Sequence, residues 1–219
     1  MEKIKKTQKT VSKEYCYMFL IGMYLLSMLL SFLFYGGLGS SLKKAYQVGL
    51  FSCVFLLPLW LLFYKIAWEL KNKKRVFLLG LFFFGITMIL VLVSVHINTY
   101  LFWFGGCIFL TVLFPTEIGL GFFLFFDCLF YFINDATGSY KVFLFLFGIV
   151  LCSLVSFIKK GKSIFIIVFI ALVFYTLLFF ILTHGSKAYF EWQSLISMIG
   201  QAIFLIIAYR LYLFLEKKG

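Results

Sequence analysis

Residues 114–139, FPTEIGLGFFLFFDCLFYFINDATGS, hold the pattern around which the rest of the chain is arranged. The stretch opens on Pro115 and Glu117, runs apolar past Gly119 and Gly121 to Asp127, and leaves through Asn134, Asp135 and a glycine-containing turn. Counted from Pro115, Asp127 falls about 18 Å along a helix, near the middle of a bilayer. A carboxylate at that depth costs ~2.5–3.5 kcal/mol on insertion scales, so it needs a partner, water or a proton. The segment predicts a membrane-spanning helix with one ionisable group inside it.

Composition extends that reading to the whole chain. Hydrophobic residues make up 64% and charged residues 13%, with 32 phenylalanines among 219 residues. Soluble domains are ~25% charged, and no core of this length could bury so much apolar surface. The formal net charge of +12 would point to nucleic acid in a soluble protein. Here the charges lie between apolar runs, where they report orientation, and no nucleic-acid partner is expected. The cysteines at 16, 53, 107, 128 and 152 all fall inside apolar segments without CxxC spacing. That excludes a zinc site or disulfide framework and leaves buried free thiols.

The fold class expected is all-α: a polytopic helical integral membrane protein of about eight segments, at 15–36, 48–68, 76–96, 99–114, 117–134, 141–158, 163–183 and 194–215. Residues 1–14 form a basic cytoplasmic tail, 15–215 a single transmembrane domain, and 216–219 a cytoplasmic end. The tail is no signal peptide, because the apolar run after it is too long and lacks a small-residue cleavage site. With the N-terminus inside, five Lys in the tail, four Lys and Arg in KNKKR, three in KKGK and two in EKKG are cytoplasmic. The outer loops hold only Lys43, Lys44, Lys141 and Lys187, while Lys65 and Arg210 lie near inner ends and can snorkel. The bias places both termini in the cytoplasm.

The pair 99–114 and 117–134 reads either as a tight helical hairpin or as a re-entrant pair, since the first is short and contains Gly105 and Gly106. Pro58 should kink or open the second span. Trp60, Tyr64 and Trp68 grade into charge as an interfacial belt. His96 and His184 sit at outer span ends as solvated interfacial residues. No GxxxxGK[ST], HExxH or GxSxG motif is present, so neither cofactor nor metal is expected.

Asp127, Tyr131 and Asn134 stand at i, i+4 and i+7 and share one helix face. Gly119 and Gly121 should admit a close helix near the inner end, with Glu117 at the interface. Gln201, in the last span, lies at a depth from which it could reach the Asp127 stripe. The stripe is either a ligand-binding or proton-linked polar site, or a buried carboxylate hydrogen-bonded across helices to fix their packing. The lack of a second mid-membrane ionisable residue favours the packing role.

FYKIAWELKNKKRVFLLGL (63–81) and FPTEIGLGFFLFFD (114–127), with the succession of one span, an outer connection and seven spans, resemble the membrane region of bacterial HD-domain phosphodiesterases that degrade cyclic dinucleotides. Residues 37–47 stand where that family has an extracellular domain, and no HD motif follows EKKG, so the resemblance carries no catalytic residue across. The pattern Pro115, Gly121, Asp127, Gly138 also resembles the rod-shape-determining protein MreD, a partner in cell-wall elongation. Both resemblances imply a multi-pass protein of the bacterial cytoplasmic membrane, embedded in lipid and docking other membrane proteins.

Three functions are consistent with these observations. The first is a non-enzymatic partner or scaffold subunit of a membrane complex, MreD-like or a detached sensory module. The second is a small-solute transport subunit similar in size to the substrate-binding components of energy-coupling-factor transporters, with a small-molecule substrate on the Asp127 face. Against it, the first helix has no alanine-rich docking stripe. The third, an intramembrane enzyme, lacks a visible nucleophile–base pair or metal cluster.

Overall fold

A backbone inside an apolar sequence has no polar partner but itself, and helix is the local solution that satisfies every amide. The computed structural model describes residues 2–37, 42–66, 73–97, 103–133, 138–159, 163–182 and 192–217. Among these the regular structure is all helical: α1 (Glu2–Gly37), α2 (Leu42–Ile66), α3 (Lys73–Ile97), α4 (Trp103–Leu113), α5 (Thr116–Ile133), α6 (Gly138–Lys159), α7 (Ile164–Leu182) and α8 (Trp192–Lys217). Four of them, α1, α3, α5 and α6, are long and apolar enough to cross a membrane. The outward faces are apolar too: on α7, Phe165 is 84% exposed and Ile166, Phe169 and Leu177 are exposed beside it. Such faces need lipid or protein cover.

Two expectations are refined. The lysine-rich segment is not separate from the first span, since α1 runs unbroken from Glu2 for 36 residues, about 54 Å. Residues 2–14 contain no Gly or Pro and are rich in Lys, Glu and Gln, which propagate a helix well. Pro58 lies inside α2, where helix is maintained on both sides of it.

One end of the bundle is fixed by side chains from four helices and the α4–α5 turn. Phe19 of α1 lies 5.3 Å from Phe77 of α3 and 5.4 Å from Phe114, centroid to centroid, in the turn between α4 and α5. Lys159, the last residue of α6, donates from Nζ to the Phe114 carbonyl, which ends α4. A cation at a helix C-terminus meets the negative end of the macrodipole. Tyr212 of α8 donates to the Lys159 carbonyl at 3.1 Å. The start of the apolar part of α1, the start of α3, the α4–α5 turn, the end of α6 and the late part of α8 therefore share one end.

All eleven residues of α4 are buried. It packs against α3, α5, α6 and α8, which makes it the central post of the bundle. Its Gly105 is covered by the Phe204 ring of α8, and its Phe109 stacks on Phe83 of α3 at 4.6 Å. Around it lies a core dominated by phenylalanine, including Phe84, Phe122, Phe125 and Phe126.

Candidate functional site

Helical spacing puts Trp103, Cys107 and Thr111, at i, i+4 and i+8, on one face of α4. That face meets the Gly119, Phe123, Asp127, Phe130 face of α5. The helices run antiparallel, with Thr111 beside Gly119 at the turn end and Trp103 beside Phe123 and Phe130 further up. A Cβ on Gly119 would lie 2.7 Å from the Thr111 Cα, so only glycine permits this approach. The two helices form an antiparallel pair joined by a tight turn, as either reading of this region requires, and every residue of the first arm is buried.

The height of Trp103 follows from its neighbours. Its ring lies 5.9 Å from Phe123 and 6.0 Å from Phe130, centroid to centroid. These residues are two turns apart on one face of α5, and Asp127 stands between them. An indole equidistant from both rings sits at the height of Asp127. Phe104 stacks on Trp103 at 4.3 Å and closes another side.

Asp127 is 1% exposed. Tyr131, one turn on, donates its O–H to the carboxyl group, yet Oδ1 has no hydrogen-bond partner. Trp103 is fully buried, and its Nε1–H also has none. Cys107, one turn below Trp103, lies within electrostatic range of both Asp127 and Cys152 of α6. Thr111 donates its hydroxyl proton to the Cys107 carbonyl at 2.8 Å. The Thr111 hydroxyl also lies within hydrogen-bonding reach of the Cys152 side chain. The result is a polar seam inside an aromatic core, running from Asp127 and Trp103 to Thr111 and Cys152.

No protein family, curated protein or solved structure matches this chain. Its chemistry is therefore read from the seam alone. One acceptor and one donor at the same height in an apolar box can hold a small hydrogen-bonding group, or can pin helices together around a proton. Among the described residues, no three His, Cys, Asp or Glu side chains group as metal ligands.

The sequence-predicted residues separate into distinct places. Asp127 and Tyr131 are brought together by a hydrogen bond. Gln201 is buried at 2% exposure on α8, one turn from Phe204, which covers Gly105. Among the described residues α8 packs on α4, α6 and α7 and not on α5, so Gln201 and Asp127 lie on helices that are not neighbours. Glu117 is exposed in the first turn of α5, where a carboxylate suits the helix N-terminus, and its charge acts on Lys159 at the shared end. It is ten positions from Asp127, about 15 Å along the helix, and belongs to a different cluster. Asn134 lies outside the described residues.

Sequence reasoning missed Trp103, Cys107, Thr111 and Cys152. The i, i+4, i+8 spacing of Trp103, Cys107 and Thr111 in α4 was the available signal; Cys152 on α6 had none. Cys107 and Cys152 are indeed buried and free, and Cys128 is partly buried. The side chains of Cys16 and Cys53 lie outside those described.

Proposed function

We propose that this chain is a non-enzymatic, multi-pass subunit of a bacterial cytoplasmic-membrane complex, with eight membrane segments and both termini in the cytoplasm. It acts by presenting a rigid helical framework to membrane partners. The observation that carries this reading is the sealing of the interior: the seam around Asp127 is closed by stacked rings of Trp103, Phe104, Phe123 and Phe130. A polar group enclosed in this way fixes the packing of helices, a role that buried hydrogen bonds fill between membrane helices. The eight-segment topology draws support from the shared end, which gathers the start of the apolar part of α1, the start of α3, the α4–α5 turn, the end of α6 and the late part of α8, all expected to be cytoplasmic. Lys73, Lys74 and Arg75 at the start of α3 and Lys159 at the end of α6 then bring positive charge to that side.

Reporter fusions at Lys162, Lys187 and Gly219 should report inside, outside and inside respectively. External labelling of 159–162 or of the C-terminal segment would reverse the topology. Affinity purification from native membranes in mild detergent should recover the chain with a membrane protein at near-stoichiometric yield. Recovery as a lone species that supports saturable solute uptake in proteoliposomes would replace the partner reading with the second one.

That second reading, a small-solute transport subunit, is favoured by one observation. Asp127 Oδ1 and Trp103 Nε1 are buried with no hydrogen-bond partner, as groups facing a ligand would be.

A further inference from the structure

Buried polar atoms are nearly always hydrogen-bonded, so two orphans at one height call for a common explanation. The indole Nε1–H can only donate. An ionised Asp127 Oδ1 can only accept; a protonated one becomes a second donor, for which the indole offers no lone pair. A bound metal cation would satisfy the carboxylate but accept nothing from the indole. An anion would accept from the indole but sit against a carboxylate. A hydroxyl oxygen answers both protonation states. Against the carboxylate it donates to Oδ1 while accepting from Nε1–H, and against the acid its two lone pairs accept from both groups. Phe104, Phe123 and Phe130 stack around Trp103, so both polar atoms lie in an aromatic surround.

We propose that Trp103 Nε1 and Asp127 Oδ1 together bind one hydroxyl group, supplied by an internal water or by the hydroxyl of a small solute, between α4 and α5. An internal water with protein partners of this kind is an ordinary structural component. The solute source rests on the transport reading above, whereas the water source is independent of it, so the two fail separately.

The test is NMR of the full chain in lipid nanodiscs, with tryptophan indoles labelled with nitrogen-15. The chain has four tryptophans, and the Trp103 signal is the one lost in Trp103→Phe. In the parent chain the Trp103 indole proton should lie downfield of a free indole and show a cross-peak to water. Asp127→Asn should keep that cross-peak, because an amide still offers an acceptor and a donor; Asp127→Leu should lose it. If a solute hydroxyl is the natural occupant, titration with glycerol as the polyol probe should shift the Trp103 signal saturably and transfer the cross-peak to glycerol. A saturable glycerol shift thus assigns the site to solute, and an unchanged water cross-peak assigns it to water. A Trp103 proton at the free-indole position, with a cross-peak to neither, would overturn the proposal. The parent chain alone gives that reading, so a misfolded leucine variant cannot obscure it.

Discussion

Asp127→Leu should lower the stability of the folded protein by about 1–3 kcal/mol, while Asp127→Asn should stay close to the parent. Leucine fills similar space but gives Tyr131 no acceptor and leaves the Trp103 indole facing hydrocarbon. Asparagine keeps an oxygen for Tyr131 and removes only titration. Denaturant titration in mixed micelles, followed by tryptophan fluorescence, measures the difference. Equal stability of the leucine variant and the parent would remove Asp127 from the organising position given it here. An asparagine variant that folds and assembles normally but loses solute uptake would instead move the protein to the transport reading.

A second large effect is expected at Gly119. The added methyl of Gly119→Ala would stand 2.7 Å from the Thr111 Cα, a backbone atom that cannot turn aside. Overpacking of this kind costs about 1–3 kcal/mol, and Gly119→Val should cost more. The damage should also spread, because parting α4 from α5 moves Thr111 off Cys152 and the Phe114 carbonyl off Lys159. Gly22→Ala is the control: its methyl would meet only the flexible tip of Leu81, at 3.0 Å. Thermal unfolding in detergent should separate the two, with Gly22→Ala near the parent. Equal melting of both would refute the close approach of α4 and α5.

The helices were legible in the sequence because apolar runs and the charges between them are one-dimensional signals. Asp127 was legible because a carboxylate twelve residues past a proline has its depth set by helical rise alone. Other features had no such signal. Hydropathy reports what a segment contacts and not whether it is helical, so the extension of α1 back to Glu2 was invisible to it. Gln201 has a depth that can be counted, but its side of α4 depends on which helices touch. Trp103 hides among aromatic residues that are otherwise packing, and only its position opposite Phe123 and Phe130 brings it to Asp127. Gly119 was expected to admit a neighbour, and Thr111 is that neighbour.

The enclosure of α4 has a consequence for biogenesis. Its eleven residues cover only about 16 Å, roughly half of a bilayer core, so the segment is a poor candidate for solitary insertion. Two of its four walls, α3 and α5, are adjacent in sequence, but α6 and α8 leave the ribosome later. While the chain is still growing, the flank bearing Gly105 and Phe109 waits for Phe204 to arrive from the last helix. Maturation is therefore a closing event at the C-terminal helix, and a chain arrested before α8 would present an open seat that a membrane chaperone or quality-control protease could read as unfinished.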